Sequence, residues 1–191
     1  MIVPENPLTG KIVTIFGSSR PRPGDPEYRF AESLGEKIAS SGMSVCTGGY
    51  RGIMEAVSKG ASRYDVEVIG VTVETFSREP NEFVNLQIHT KSIYERLQRL
   101  IELGDAYVVL KGGTGTLVEL SLAWELINKN IIAEKPIVIT DDFWKPVIDL
   151  LDSELQFEGK MSCTRFLKIV KDVDQIAELI KSSILKSPVN P

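Results

Sequence analysis

The chain has 191 residues, of which 42% are hydrophobic and 25% charged, a balance typical of one globular domain large enough to bury a sizeable core. Its formal net charge of −4 argues against a nucleic-acid-binding protein, because phosphate backbones are bound by clustered Lys and Arg. No apolar run is long enough to span a bilayer, and the first residues lack the basic-then-apolar order of a signal peptide, so we expect a cytoplasmic protein without a membrane partner.

Strand-like and helix-like segments alternate along the chain. The predicted strands cover 11–17, 43–49, 67–73, 85–90, 106–110, 135–140 and 166–170. The predicted helices cover 27–41, 52–61, 92–103, 116–128, 143–155 and 174–185. This alternation predicts right-handed βαβ units, and hence an α/β fold with a doubly wound parallel sheet. We expect a single domain over 1–191, with flexible ends at 1–10 and 186–191.

The first two predicted strands each end in a glycine-rich loop. Gly17 and Ser18 belong to "FGSSRP" after the first strand, and Gly48 and Gly49 belong to "GGYRG" after the second. The carboxyl ends of parallel strands share one edge of the sheet, where ligands bind in such folds. We therefore expect Ser18 to hydrogen-bond a sugar or phosphate, and the glycines to let that ligand approach.

Arg96 lies on the predicted helix at 92–103, on the polar flank of a stripe formed by Ile93, Leu97 and Leu100. A charged residue in that position is usually part of a solvated helix face. From spacing alone this surface interpretation is favoured, and a role in a binding site is the alternative.

The loop after the fifth predicted strand is the strongest candidate for binding a ligand. It contains Gly112, Gly113, Thr114, Gly115 and Thr116. Glycines let the backbone turn sharply and approach a ligand, and the helix that follows points free N–H groups and its positive dipole end into the loop. Phosphate is the expected ligand. The loop matches neither of the common phosphate-binding fingerprints, so a tight turn without a ligand stays open.

Glu119 lies one turn into the helix after this loop. Two interpretations are equally open from spacing alone. Thr116 and Glu119 fit a capping box, in which Glu119 would bond back to the backbone at Thr116. A carboxylate in this position would also lie close to a bound phosphate ester, where it could take part in chemistry.

The cysteine and histidine content limits the other kinds of site. Cys46 and Cys163 lie far apart without metal-ligand spacing, so we expect reduced, structural thiols. His89 is the single histidine, which leaves almost no room for a histidine-based triad or a multi-histidine metal site. We therefore predict no metal.

At these residues the sequence resembles the Lonely Guy (LOG) family. "GGTGTLVE" is similar to the family motif PGGxGTxxE, and "YERLQR" to the partner motif that has Arg-Lys at its centre. "GGYRGIMEAVSKGA" and "FGSSR" are similar to the other two glycine loops. The order and spacing of all four match from Lys11 to about Leu150. Two residues depart from the pattern: Lys111 replaces the proline, and Leu97 replaces the lysine.

The resemblance implies a Rossmann-like homodimer that acts as a cytokinin riboside 5'-monophosphate phosphoribohydrolase. Such an enzyme cleaves the N-glycosidic bond of an AMP-like nucleoside 5'-monophosphate, giving free base and ribose 5-phosphate without a cofactor. Carried over, the motif assigns the phosphate to Gly112, Gly113, Gly115 and Thr116, and makes Arg96 and Glu119 the catalytic pair. A lysine decarboxylase, the label often given to relatives, is not expected, because no lysine stands in a recognisable pyridoxal-phosphate setting.

Two other functions use the same loops. One is a non-catalytic binder or carrier of a nucleotide or phosphorylated cofactor. The other is a single-stranded-DNA-binding protein of Rossmann type, which the acidic net charge disfavours. Turnover of a nucleoside monophosphate distinguishes the hydrolase from both.

Overall fold

A computed structural model describes residues 10–157 and 163–186. The seven strands are β1 (Ile12–Phe16), β2 (Ser44–Thr47), β3 (Val68–Val73), β4 (Leu86–Thr90), β5 (Ala106–Val109), β6 (Ile137–Ile139) and β7 (Leu167–Ile169). The six helices are α1 (Pro26–Ser40), α2 (Ile53–Ala61), α3 (Ile93–Leu103), α4 (Thr114–Asn128), α5 (Lys145–Phe157) and α6 (Val173–Lys186). Short 3-10 turns cover Glu74–Phe76, Asp142–Trp144 and Cys163–Phe166.

The strands form one parallel sheet in the order β4-β3-β2-β1-β5-β6-β7. The order reverses at β1, which pairs with β2 on one side and β5 on the other; Thr14 lies opposite both Cys46 and Tyr107. In an open sheet of this kind, the crevice beside such a reversal is where ligands bind. The predicted α/β fold with a doubly wound parallel sheet is confirmed.

Two apolar layers cover the two faces of the sheet. One contains residues of α1, α2 and α6, including Leu34, Val57 and Ile180, and the other contains residues of α3 and α4, including Leu100 and Leu120. Because the strands of the sheet centre are buried on both faces, both layers exclude water, and the strand ends are held in fixed positions.

Helices α1 and α2 approach each other at backbone distance. A Cβ atom on Gly60 would lie 1.9 Å from the carbonyl oxygen of Glu32, and one on Gly35 would lie 2.2 Å from that of Val57. Only glycine fits at these two contacts, so they fix α2 and the β2–α2 loop that precedes it.

All thirteen predicted helices and strands are present, with ends shifted by a few residues. The largest functional difference is in α4, which begins at Thr114 rather than at Thr116. Of the predicted flexible ends, 1–9 and 187–191 lie outside the described residues, and Lys186 is the last residue of α6. Cys46 is a buried free thiol, as expected, and burial raises its pKa to about 12.

Candidate active site

A cleft of about 1000 Å³ opens at the carboxyl edge of the sheet, where the chain leaves β1, β2, β3 and β5. Of the residues predicted to bind or act on a ligand, most line it: Gly17, Ser18, Gly48, Arg96, Gly112, Gly113, Thr114, Gly115, Thr116 and Glu119. The sheet therefore brings together three loops and two helices that are distant in sequence, as its topology requires.

Gly49 is the predicted binding residue that does not line the cleft. It is buried with a φ of +77°, a conformation that favours glycine, and its carbonyl oxygen accepts a hydrogen bond from the backbone N–H of Asn81 at 2.7 Å. Its position makes it a turn residue behind the wall of the cleft, and direct contact with a ligand stays a prediction.

The β5–α4 loop forms an uncapped helix N-terminus at the cleft. Gly113 occupies the N-cap position without a side-chain cap, and the backbone N–H of Leu117 makes the first helical hydrogen bond, to Gly113 at 3.0 Å. The N–H groups of the first turn thus have no helical acceptor. A Cβ atom on Gly113 or Gly115 would meet nothing within 4 Å, and both residues line the cleft, so the space beside this first turn is open.

The base of this loop is tightly packed. A Cβ atom on Gly112 would lie 2.2 Å from Oγ1 of the buried Thr116, so a side chain at Gly112 would displace that hydroxyl. The carbonyl oxygen of Lys111 accepts a hydrogen bond from the backbone N–H of Ser18 at 3.1 Å. This hydrogen bond joins the loop after β1 to the loop after β5.

Arg96 is buried, with 7% of its surface exposed, which corrects the favoured expectation of a solvated residue. Its Nε donates a hydrogen bond to the carbonyl oxygen of Val71 in β3 at 2.8 Å. A Cβ atom on Gly48 would lie 1.7 Å from Nη2 of Arg96, so the guanidinium lies against the backbone of the β2–α2 loop. The buried face of α3 therefore differs from the expected apolar stripe and includes Arg96. Ile93 is exposed and Leu97 is only partly buried, while Leu100 is buried.

Tyr50 is a site residue that the sequence did not predict. Its ring centroid lies 5.8 Å from Cζ of Arg96, within the range of a cation–π contact. Its hydroxyl oxygen accepts the N–H of Val73 at 2.9 Å, and the hydroxyl donates to the carbonyl oxygen of Val73 at 3.3 Å. An aromatic residue inside the "GGYRG" loop was the available signal, but the partner of its ring lies 46 residues away.

Glu119 faces Arg96 and does not form the predicted capping box. Because α4 begins at Thr114, Thr116 lies inside the first turn and is not the N-cap residue. Oε1 of Glu119 lies 3.5 Å from Nη1 of Arg96, and 13% of the Glu119 side chain is exposed. Burial raises the pKa of this carboxyl to about 7, although Arg96 acts in the opposite direction. A carboxyl group with this pKa exchanges protons readily at neutral pH.

Further charged and aromatic residues complete the wall of the cleft. Among the described residues that line the cleft, the further charged side chains are Arg20, Asp25, Glu27, Arg78 and Lys111. The further aromatic side chains are Phe16, Phe76 and Phe143. Together with Arg96 and Glu119 the charged groups number four cations and three acids, so the cleft of an acidic protein is itself slightly cationic.

The two departures from the Lonely Guy pattern lie in different places. Lys111 lines the cleft beside the glycine loop, with Nζ 5.5 Å from the centroid of the Phe143 ring. None of the carboxylates in the described part of the chain lies within ion-pair distance of it. Leu97 does not line the cleft. The change at Lys111 therefore adds a cation to the cleft. The change at Leu97 removes a cation from a position that does not line the cleft.

Among residues 10–157 and 163–186, no helix is both long and apolar enough to cross a lipid bilayer. In the same part of the chain, His, Cys, Asp and Glu do not form a group of three or more that could hold a metal ion.

Comparisons with known proteins point to one family. Residues 10–162 match the SLOG cluster4 family. The chain is 30% identical over 184 residues to a cytokinin riboside 5'-monophosphate phosphoribohydrolase of Rhodococcoides fascians, with 91% of each chain covered. It is 26% identical over 176 residues to a pyrimidine/purine nucleotide 5'-monophosphate nucleosidase of Escherichia coli K12, of which it covers 38%.

A solved structure extends the likeness to a binding protein. The molybdenum cofactor binding protein of the phototrophic bacterium Rippkaea orientalis superposes with a TM-score of 0.67 at 29% identity, over 91% of this chain and 96% of that one. The family match spans every loop of the cleft, and the Rhodococcoides relative aligns along most of its length. The chain is therefore a member of the SLOG cluster4 family, and its four motifs reflect membership of the Lonely Guy group of proteins.

Proposed function

We propose that this protein is a hydrolase that cleaves the N-glycosidic bond of a nucleoside 5'-monophosphate, giving free base and ribose 5-phosphate. The observation that carries the proposal is the buried pair of Arg96 and Glu119, 3.5 Å apart, in the wall of a cleft that also contains an open helix N-terminus. A buried carboxyl group whose pKa is raised to about 7 and which faces a specific cation in a cleft is typical of a catalytic site.

The 5'-phosphate would lie in front of the first turn of α4. The free N–H groups of this turn and the helix dipole favour an anion, and Gly113 and Gly115 leave space for it. Thr114 and the Lys111 ammonium line the same part of the cleft, where each can add a contact to a phosphate oxygen.

The chemistry follows from the charge that develops on the sugar. When the bond between the anomeric carbon and the base nitrogen breaks, its electron pair leaves with the base, and the ribose becomes oxocarbenium-like. Ionised Glu119 stabilises this positive charge and accepts a proton from the water whose oxygen attacks the anomeric carbon. The departing base takes up a proton from solvent. Arg96 holds the carboxylate in position, because its own guanidinium is fixed by Val71 and Gly48.

A panel of purine and pyrimidine monophosphates tests the proposal directly. The purified chain should release ribose 5-phosphate and free base from at least one of them, and should not act on the matching nucleoside. Since this mechanism uses no metal or organic cofactor, EDTA should leave turnover unchanged. Turnover of nucleosides and monophosphates at equal rates would contradict the phosphate site.

A second candidate function is a non-catalytic carrier of a phosphorylated cofactor. The observation that favours it is the 29% identity to the molybdenum cofactor binding protein of Rippkaea orientalis, which superposes over 91% of this chain and 96% of its own. Binding of monophosphates without turnover across the whole panel would support this alternative over the hydrolase.

We also infer that the chain acts as a homodimer in the cytoplasm. Apolar side chains are exposed on the two helices that carry the catalytic pair, namely Ile93 and Tyr94 on α3 and Val118 on α4, and Tyr94 is 85% exposed. The buried free thiol of Cys46 suits a reducing compartment. Light scattering should give a dimer for the parent and a smaller species for Tyr94→Glu, while Tyr64→Glu, at an exposed residue after α2, should remain dimeric.

A further inference from the structure

One end of the cleft presents an exposed aromatic ring. Phe76 lies in the 3-10 turn after β3, lines the cleft and is 43% exposed. Its ring centroid is 5.6 Å from that of Tyr50, which in turn contacts the guanidinium of Arg96. A continuous row therefore runs from Arg96 through Tyr50 to Phe76. The face of Phe76 is apolar surface that the chain itself leaves uncovered.

The segment that carries Phe76 is fixed at both ends. At its start, the hydroxyl of Tyr50 is bonded to both backbone groups of Val73. At its far end, the amide of Asn81 donates to the carbonyl oxygens of Gly49 and Tyr50 at 3.0 and 2.9 Å. Because both ends are tied to the β2–α2 loop, Phe76 is held over the cleft rather than carried on a free loop.

The order of strands fixes the direction in which a nucleotide can lie. The proposed phosphate site follows β5, and the strands continue from it as β1, β2 and β3. Parallel neighbours lie about 4.8 Å apart, so the end of β3 is about 14 Å from the end of β5. A nucleotide with its phosphate in front of α4 therefore runs past the ends of β1 and β2 toward β3. Arg96 contacts Gly48 after β2 and Val71 in β3, so the bond to be cleaved lies in the second half of this path.

We propose that the nucleobase stacks on Phe76, beyond the end of β3, and that this ring favours purines over pyrimidines. This inference rests on the proposed function, since it takes the phosphate to lie at α4 and the anomeric carbon to lie beside Arg96 and Glu119. A base that continues past the catalytic pair, away from the phosphate, arrives at Tyr50 and Phe76. Aromatic side chains bind bases by their π-faces, and the larger purine face makes more contact.

Phe143 provides a matched control within the same cleft. It is also an exposed phenylalanine in a 3-10 turn, 46% exposed, but it follows β6 on the opposite side of the phosphate site. The two rings are thus alternative stacking positions for a base, one on each side of the proposed phosphate site. Tyr64, an exposed aromatic residue that does not line the cleft, controls for the loss of a surface ring.

The experiment compares the affinities of AMP and ribose 5-phosphate for each variant by calorimetry, with catalysis slowed by Glu119→Gln in every protein. Only AMP carries a base, so the ratio of the two affinities isolates the base contact. Phe76→Ala should weaken AMP binding about tenfold while ribose 5-phosphate binds as before, and Phe76→Tyr should restore the AMP affinity. The affinity ratio should stay at the parent value in Phe143→Ala and Tyr64→Ala. UMP should lose less affinity than AMP in Phe76→Ala.

Three results for the variants would overturn the base site. They are an unchanged affinity ratio in Phe76→Ala, an equal loss for AMP and ribose 5-phosphate, and a changed ratio in Phe143→Ala in place of Phe76→Ala. A parent that binds neither ligand would overturn it as well. Failure of the hydrolase is recognised separately, because a chain with Glu119 intact that binds AMP on Phe76 without cleaving it refutes the reaction and leaves the base site standing.

Discussion

Glu119 and Arg96 form a buried pair, and each side chain is held by a different part of the fold. The guanidinium is fixed by a backbone carbonyl of β3 and lies against Gly48, and the carboxyl group faces it from α4. Removal of a carboxyl group from water raises its pKa, and here burial outweighs the attraction of the cation. The result is a carboxyl group that is only partly ionised at neutral pH, which is the state expected of an acid–base catalyst.

Glu119→Gln tests the chemical role of this carboxyl group. A neutral amide keeps the shape of the side chain but cannot balance a developing cation or accept a proton. Turnover of a nucleoside monophosphate should fall by on the order of a hundredfold or more, while the affinity for the monophosphate stays close to that of the parent. Steady-state kinetics and calorimetry provide the two readings. Parent-like turnover in the variant would remove Glu119 from the mechanism.

The same variant reveals how the pKa of Glu119 affects stability. The folded pKa of about 7 lies above the ordinary value of 4.5, so the folded state holds the proton more tightly than the unfolded state. The contribution to stability is complete below about pH 4.5 and is lost as the pH rises through 7. Relative to Glu119→Gln, the parent should lose on the order of 1–3 kcal/mol of unfolding free energy between pH 4.5 and 8. Urea melts at both pH values measure this, and a constant difference would contradict the raised pKa.

At the scale of single elements, the loops after β2 and β5 both use glycine, but for different reasons. Gly48 has no room for a side chain, because the guanidinium of Arg96 occupies that space. Gly113 has open space around it and a φ of −100°, which any residue can adopt. One glycine therefore positions the guanidinium of Arg96, and the other leaves open space beside the loop.

Substitution of these two glycines should give opposite results. In Gly48→Ala the new methyl group would lie 1.7 Å from Nη2 of Arg96, so the guanidinium must move and turnover should fall, while monophosphate binding persists. In Gly113→Val the fold should melt at nearly the parent temperature, but the side chain would fill the phosphate space and binding should be lost. Melting with and without AMP, together with turnover, measures both. Tight AMP binding by Gly113→Val would remove the phosphate from the β5–α4 loop.

At the scale of the whole molecule, the chain is acidic but its cleft is slightly cationic. The carboxyl edge of the sheet collects Arg20, Arg78, Arg96 and Lys111 from four separate segments. An anionic ligand would balance this local charge. It would also contact several loops at once, each of which follows a strand of the same sheet. Ligand binding should therefore stabilise the folded chain as a unit.

A nucleoside monophosphate should raise the melting temperature far more than the matching nucleoside. At a concentration of about a hundred times Kd, one bound ligand adds roughly 2.7 kcal/mol, which corresponds to a rise of about 5–10 °C for a chain of this size. Because the proposed site offers its cations and N–H groups to the phosphate, removal of the phosphate should abolish most of the shift. Equal shifts from both ligands in differential scanning fluorimetry would contradict the phosphate site.

The order of elements and the loops of the site could be read from the sequence. Strand and helix periodicities differ, and 106–110 and 135–140 are apolar almost throughout, so the parallel sheet followed from local patterns. Glycines directly after strands then placed three loops at one edge, because parallel strands all end there. The resemblance to the Lonely Guy family added the pairing of Arg96 with Glu119, which no local pattern supplied.

Tertiary structure alone decided what surrounds Arg96 and Glu119. On its own helix Arg96 occupies a polar flank, and it is buried only because β3 offers a carbonyl oxygen 25 residues away and Gly48 offers space. Thr116 and Glu119 have capping-box spacing, yet α4 begins two residues earlier and turns Glu119 toward Arg96. The aromatic row of Tyr50 and Phe76 joins segments that meet only in the folded sheet. Spacing along the chain determines which helices and strands form, whereas burial and pKa depend on neighbours that only the fold brings together.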